Sequence, residues 1–373
     1  MNVLCVLEPR VSIGGGVRST FNLVSQLAAD QFSNNVAVFG FWRGATVPAI
    51  SPRVTSIPAT GVNPLSLRFI KEFKKAVDDV KPRIVHVMGL YTALLAILLR
   101  CVFGYRFKII VTVRRTTDKI RYPVVGRILA RFISRCIDHT IFLTEYQKAH
   151  YANSVKFAPR DATILPNIVV RRTVSAAECA ATRHRLLNET GAQHLIVYVG
   201  RLVPTKRIDI FIEAVAEVRR NGLDVGGVIV GDGSVEHLKM LHAVTDRVGA
   251  GSLIHFTGFV NNPEFYVAAA DCILFPTETE ALPNILIESY ALGRPVVVSP
   301  IPQLRELTSP ERNCLMVQRH ESGQYAQAVT RLLQNENLYE TISAGARRTY
   351  AESYDPDRIA RRYCDVYERV CRQ

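Results

Sequence analysis

Short runs of β-branched and aliphatic residues alternate along the chain with longer segments in which apolar positions recur every three or four residues. That is the pattern of parallel strands covered by helices. In the first half the predicted strands are residues 3–7, 35–39, 84–88, 108–113, 140–143 and 163–165. The pattern breaks at Pro166-Asn167, and residues 170–190 are polar, Arg-rich and helical, with no strand to match them. It restarts with strands at 195–199, 226–230, 253–256, 272–275, 296–299 and 314–317. A chain of 373 residues exceeds one ordinary hydrophobic core, so two α/β domains are expected, 1–170 and 171–355. The stretch 356–373 carries Ile359, Tyr363, Val366, Tyr367 and Val370 at helical spacing; it is expected to pack back on the first domain. Two doubly wound Rossmann-like domains in tandem are expected to face each other across a cleft, with ligands at the carboxyl ends of their strands.

Composition adds that the chain is an ordinary globular protein, 48% hydrophobic and 21% charged, which excludes disorder. The net charge of +13 is uneven: residues 1–170 hold 23 Lys and Arg against 9 Asp and Glu, and the remainder 23 against 24. A basic first half suits an anionic membrane surface, a phosphorylated acceptor or nucleic acid. The eight cysteines lie scattered without a CxxC pair and read as reduced core thiols. Met1 leads directly into a strand, and the longest apolar run, 90–99, is too short to span a bilayer and reads as a buried helix. A cytoplasmic protein is the expectation.

The chemistry concentrates after two strands of the second half. Gly200-Arg201 follows the strand 195–199, and Lys206 stands before a helix beginning near Ile208, so both cations occupy a strand-to-helix loop suited to a diphosphate. After the strand ending at Phe275 comes Thr277-Glu278-Thr279-Glu280-Ala281-Leu282-Pro283-Asn284, then a helix running to Leu292 and stopped by Gly293, with Glu288 inside it. The amides around Leu282, Pro283 and Asn284 would offer an anion the positive end of that helix.

In order and spacing, Val199-Gly200-Arg201-Leu202 with Lys206, Val230-Gly231-Asp232-Gly233, Phe256-Thr257-Gly258-Phe259-Val260, Phe275-Pro276-Thr277 and Glu280-x7-Glu288 resemble glycosyltransferase family 4. Weaker matches in the first half are Gly14-Gly15-Gly16-Val17, Ile84-Val85-His86-Val87 and Ile164-Leu165-Pro166-Asn167. The resemblance implies the GT-B fold, an acceptor-binding first domain, a nucleotide-sugar-binding second domain, and transfer of a hexose-type sugar with retention of anomeric configuration. By the same resemblance Arg201 and Lys206 would neutralise the donor diphosphate in place of a metal, Glu280 would bind the donor sugar, and Glu288 the ribose. Gly200, Leu282, Pro283 and Asn284 would complete the donor site, Phe259 and Val260 would border the base, and Gly15 and Gly16 would let the first loop approach the phosphates. UDP- and GDP-sugars both fit as donor, and a glycan or lipid-linked molecule as acceptor, in lipopolysaccharide or exopolysaccharide biosynthesis. No cofactor and no metal is implied.

One departure stands out. Where many members carry a His after the strand 108–113, this chain has Arg114-Arg115. Arg114 is either an acceptor contact for a phosphorylated or acidic group or a surface residue, and His86 is either an acceptor contact or structural. Asp355-Pro356-Asp357, the only Asp-x-Asp string, reads as a helix cap and not as a metal site. The stretch 105–135 interleaves Arg and Lys with Tyr, Phe, Ile and Val, as for peripheral contact with anionic lipid at the cytoplasmic face of a membrane. Two other classes remain as alternatives: a nucleotide-sugar 2-epimerase of the same architecture, and a non-enzymatic binder of anionic ligands or nucleic acid. The chain has no nucleic-acid recognition motif.

Overall fold

A computed structural model describes residues 1–7, 15–29, 34–40, 53–60, 66–114, 123–171 and 174–373. Gly14, Arg115 and part of the basic stretch fall outside them. The chain divides into two units, Met1–Val169 with Tyr354–Gln373, and Val170–Ser353.

In the first unit the strands are β1 (Asn2–Val6), β2 (Asn35–Gly40), β3 (Val54–Pro58), β4 (Ile84–Val87), β5 (Lys108–Thr112), β6 (His139–Phe142) and β7 (Ala162–Ile164). They pair in parallel in the order β3-β2-β1-β4-β5-β6-β7. The helices are α1 (Gly15–Leu27), α2 (Leu67–Val80), α3 (Leu90–Phe103), α4 (Pro123–Cys136) and α5 (Glu145–His150). Successive residues of β1 serve opposite faces: Leu4 and Val6 join Phe69 and Phe73 of α2 and Leu95 and Leu99 of α3, while Val3 and Cys5 join Phe21 and Val24 of α1. Burial on both faces is why such strands read as unbroken apolar runs. The edge strand β3 went unpredicted because only Val54 of its five residues is buried and Pro58 ends it. The run 90–99 does form a helix, but α3 is not enclosed: Tyr91, Leu98, Val102 and Phe103 are exposed, and so is Cys101.

The second unit repeats the plan with β8 (His194–Val199), β9 (Val225–Val230), β10 (Ile254–Gly258), β11 (Cys272–Phe275), β12 (Val296–Val298) and β13 (Leu315–Met316). All pairs are parallel, in the order β10-β9-β8-β11-β12-β13. Its helices are α6 (Ala176–Thr190), α7 (Ile208–Arg220), α8 (Val235–Arg247), α9 (Pro263–Ala269), α10 (Asn284–Leu292), α11 (Pro302–Leu307), α12 (Ser322–Gln334) and α13 (Glu336–Ser353). Strand order reverses between β1 and β4 in one sheet and between β8 and β11 in the other. The carboxyl ends of these pairs are the places where doubly wound sheets hold ligands.

The last helix, α14 (Pro356–Arg372), belongs to the first unit. The Asp355 carboxylate accepts from the Arg358 amide at 2.8 Å, and Pro356 occupies the first turn, so the Asp-Pro-Asp string is a cap. One face of the helix buries Ile359, Ala360, Tyr363, Val366, Tyr367 and Val370 against β1, β4 and α1. Each large apolar side chain so buried contributes about 1.5–3 kcal/mol.

Candidate functional site

At the carboxyl edge of the second sheet, the loops after β8, β9 and β10 are joined backbone to backbone. Gly200 donates to the Val230 carbonyl at 2.9 Å, Leu202 to Asp232 at 2.8 Å, and Gly231 to Gly258 at 3.0 Å. Gly231 has φ +143°, and a Cβ there would lie 1.8 Å from the Gly200 oxygen; a Cβ on Gly200 would meet the Tyr198 hydroxyl at 2.7 Å. Only glycine permits this approach. Tyr198, which sequence reading missed, is wholly buried, stacks on Phe275 with ring centroids 6.3 Å apart, and donates to the Arg201 carbonyl at 3.1 Å. Burial, reinforced by the nearby Glu280 carboxylate, raises its phenol well above the usual range. Its one apolar ring thus braces β8 against β11 beneath the exposed Arg201.

The loops 200–207 and 276–283 share the Thr205 carbonyl, which accepts from the Glu278 amide at 2.9 Å and lies 3.3 Å from the Thr277 hydroxyl. Ser299, at the end of β12, donates to the Thr277 carbonyl at 2.6 Å. Arg207, with φ +49°, spans the same loops through Asp209 and Glu278; the bonds to Asp209 first of all hold its guanidinium above the ordinary range. On this frame the Lys206 ammonium donates to a Glu280 carboxylate oxygen, both side chains being only 13% exposed. The ammonium also stands 5.8 Å from the Phe275 ring centroid. Residues 74 positions apart in the chain thus meet as a screened ion pair at the β8/β11 switch point.

Helix α10 begins at Asn284, with Pro283 as N-cap and not inside the first turn, and ends at Gly293 with φ +65°. Leu282 and Pro283 are buried, while Asn284 and Glu288 are half-buried, Glu288 being the fifth helical residue. The positive end of α10 therefore opens beside Glu280. Phe259, directly after β10, is 55% exposed, and Val260 is half-buried. Among the described residues, no group of three or more His, Cys, Asp or Glu side chains is placed to hold a metal ion.

At the carboxyl edge of the first sheet, Gly15 and Gly16 open α1, and a Cβ on Gly16 would meet nothing within 4 Å. Packing among the described residues therefore does not demand glycine at 16. Arg114 is half-buried. Its Nη1 donates to the Gly16 carbonyl at 3.0 Å, to the Ser19 hydroxyl and to Asn167 Oδ1 at 3.4 Å, and its Nε faces Met88 Sδ at 3.3 Å. Of the two readings of His86, an acceptor contact or a structural residue, its place favours the structural one. It lies inside β4, wholly buried, with Nδ1 2.7 Å from the Tyr367 hydroxyl and Nε2 2.7 Å from the Thr112 hydroxyl. Burial, with the Arg114 charge adding to it, pushes its pKa down to about 3. It is a neutral core residue that ties α14 to the sheet.

Comparisons with known proteins bear on the family and the fold. The family described as "Glycosyltransferase Family 4" matches residues 13–171, and "Glycosyl transferases group 1" matches residues 193–335. A lipopolysaccharide core biosynthesis glycosyltransferase, LpsD of Rhizobium meliloti, is 29% identical over 175 residues, 47% of this chain and 49% of that one. The alpha-D-kanosaminyltransferase of Streptomyces kanamyceticus is 27% identical over 203 residues, 52% of this chain and 51% of that one. The matched stretch thus spans about half the length of these relatives. Anabaena HepE, in a crystal structure with UDP, superposes with a TM-score of 0.80 at 15% identity, over 99% of this chain and all of that one. The lipopolysaccharide glycosyltransferase WaaG gives 0.71 at 18% identity, over 98% and 99%. The chain belongs to glycosyltransferase family 4 and has the GT-B fold of two Rossmann-like domains.

Proposed function

We propose that the protein transfers a hexose-type sugar from a nucleoside-diphosphate sugar to a glycan or lipid-linked acceptor, with retention and without a metal. The observation that carries this reading is the Lys206–Glu280 pair, set beside Arg201 and the start of α10 where β8 and β11 diverge. Arg201 and Lys206 bind the diphosphate and stabilise the charge that develops on it as the glycosidic bond breaks. Glu280 takes hydroxyls of the donor sugar, assisted by amides around Leu282, Pro283 and Asn284. Glu288 takes the ribose, and Phe259 with Val260 borders the base. In the free protein Glu280 neutralises Lys206, which keeps the ammonium in place until phosphate replaces the carboxylate as its partner. The new bond to the acceptor oxygen forms on the face the diphosphate leaves, and the acceptor proton passes to a departing phosphate oxygen. The first unit, with Gly15, Gly16 and Arg114, holds the acceptor. UDP is the nucleotide named for the HepE crystal structures, which supports a UDP-sugar over a GDP-sugar.

The acceptor reading extends to a membrane surface. Among the described residues no helix is long and apolar enough to cross a membrane. Helix α4, however, exposes Val124, Val125, Ile128 and Phe132 together with Arg127, Arg131 and Arg135, and contains no acidic residue. An exposed apolar stripe flanked by arginines suits anionic lipid at the cytoplasmic face.

The test is a thermal-shift screen of UDP, GDP, ADP and CMP after chelator treatment, on wild type and an Arg201→Ala, Lys206→Ala double variant. A nucleotide at about 100 times its dissociation constant raises stability by roughly 2.7 kcal/mol. The expected result is a metal-free response to one nucleoside diphosphate that the double variant loses. Binding that survives the double variant, or turnover of a nucleotide sugar with no acceptor as in epimerisation, would overturn the reading.

A further inference from the structure

We propose that Arg114 recognises an anionic group, a carboxylate or a phosphate, carried by the acceptor; this rests on reading the first unit as the acceptor-binding unit. Arg114 follows β5 by two residues and reaches Met88, directly after β4, and the opening turn of α1. These elements surround the β1/β4 switch point. The guanidinium is clamped along one edge. Nη1 has the Gly16 carbonyl, the Ser19 hydroxyl and the Asn167 amide oxygen, whereas Nε has only the Met88 thioether, a weak acceptor. Among the described residues Nη2 has no hydrogen-bond acceptor, and the residue as a whole is half-buried. Among the described residues the Nε–Nη2 edge is therefore the less engaged side of the fork, and that edge can take two oxygens of a carboxylate or phosphate at once.

The charge balance points the same way. Among the described residues every hydrogen-bond partner of Arg114 is neutral: a carbonyl, a hydroxyl, an amide and a thioether. Among the described residues the acidic groups that act on it are Tyr363, Cys5 and Tyr367, and the nearby His86 is neutral. Burial raises the Cys5 thiol and the Tyr363 phenol to about 12 and Tyr367 well above its usual range, so none is an anion at neutral pH. Burial also lowers the pKa of Arg114 itself. Desolvating a cation without a counter-charge costs several kcal/mol, and neutral hydrogen bonds offset only part of that. A rigid guanidinium with an open edge, at the ligand-binding end of a sheet, is completed by an anion from outside.

The experiment titrates the full chain with D-glucose, D-glucuronate, D-glucose 6-phosphate and inorganic phosphate, following the melting midpoint at constant ionic strength. Wild type, Arg114→Gln, Arg114→Lys and Glu8→Gln are compared, Glu8 being an acidic residue outside the described ones. Folding of each variant is checked by circular dichroism, and UDP binding by wild type is measured alongside. The expected result is that glucuronate or glucose 6-phosphate binds wild type at least about tenfold more tightly than glucose, a difference of about 1.4 kcal/mol. Arg114→Gln should abolish that preference, Arg114→Lys should keep part of it, and Glu8→Gln should bind at least as well as wild type. The two sugars separate a carboxylate from a phosphate, and inorganic phosphate alone tests whether the sugar is needed. Equal binding of glucose and the anionic sugars, or a preference that survives in Arg114→Gln, overturns the proposal. So does a wild type without response whose Glu8→Gln variant loses as much stability as Arg114→Gln, because the guanidinium then belongs to an internal ion pair. If UDP also fails to bind wild type, the wider glycosyltransferase reading falls as well; if UDP binds, only the role of Arg114 is lost.

Discussion

Replacing Gly231 by Ala should disable the nucleotide site without touching any side chain proposed to bind the donor. The added Cβ would sit 1.8 Å from the Gly200 oxygen, where ordinary contact begins near 3.4 Å, so the two loops must part by about 1.5 Å. The backbone at φ +143° adds about 1–3 kcal/mol of strain for alanine. Parting the loops strains the bonds from Gly200 to Val230 and from Leu202 to Asp232, each contributing about 1 kcal/mol. A loss of about 3–5 kcal/mol in unfolding free energy follows from these contributions together. Because Arg201 lies between the two strained bonds, its displacement by an ångström or more should weaken UDP binding about 100-fold. At a UDP concentration about 100 times the wild-type dissociation constant, stabilisation would then fall from about 2.7 to about 0.4 kcal/mol. Urea unfolding with and without UDP measures both quantities. Gly222→Ala is the control: its φ is also positive, +94°, but its Cβ would meet nothing within 4 Å. A Gly231→Ala protein with the wild-type UDP response, or a Gly222→Ala protein that loses as much of it, would refute the reasoning.

Acid should expose the buried His86. Its pKa falls from an unfolded value near 6.5 to about 3 in the fold, so the unfolded state binds the extra proton and stability is complete above pH 6.5 and declines below it. Between pH 7 and pH 5 this one residue should cost about 2 kcal/mol, and His86→Gln should flatten that part of the stability profile measured in urea. For the ion pair, a double-mutant cycle of Lys206→Met and Glu280→Gln in urea should give a coupling of about 0.5–3 kcal/mol, while each single variant loses transfer from the proposed nucleoside-diphosphate sugar. Additive unfolding energies would mean that the two groups do not interact in solution. Neutralising Arg127, Arg131 and Arg135 to Gln should weaken flotation with phosphatidylserine vesicles by about 3 kcal/mol and leave phosphatidylcholine binding as it was. Equal flotation of wild type and variant would remove α4 from the membrane reading.

Central strands were legible because burial on both faces leaves continuous apolar runs. Eleven of the predicted strands differ by a residue or two from the observed ends, and 272–275 coincides with β11. Strand β3 was not legible, since four of its residues are not buried and pairing with β2 alone holds it. Motif spacing located the Gly200 and Glu280 loops, but not their union: Lys206 and Glu280 are joined through the Thr205 carbonyl and the Tyr198–Phe275 stack, which no local pattern encodes. Gly231 was part of a motif, yet its closeness to Gly200 appears only when β8 and β9 are in register. His86 lies within β4 and Arg114 just past the neighbouring β5, and the deciding partners, Tyr367 and Gly16, come from distant parts of the chain. Side-chain direction at a strand end depends on what covers it, and that is tertiary information.

The assignment of α14 to the first unit sets an order of events during synthesis. The second unit is one unbroken stretch, Val170–Ser353, whereas the first lacks Tyr354–Gln373 until translation has passed through the second. Until then the surfaces that receive Tyr363 and Tyr367 stay open, His86 lacks its Tyr367 partner, and Cys371 has yet to reach Met1 at 3.6 Å. The half made first is therefore the half completed last. A chain truncated at residue 353 would carry the whole second unit and an open first one, the form in which chaperones and proteases would find it.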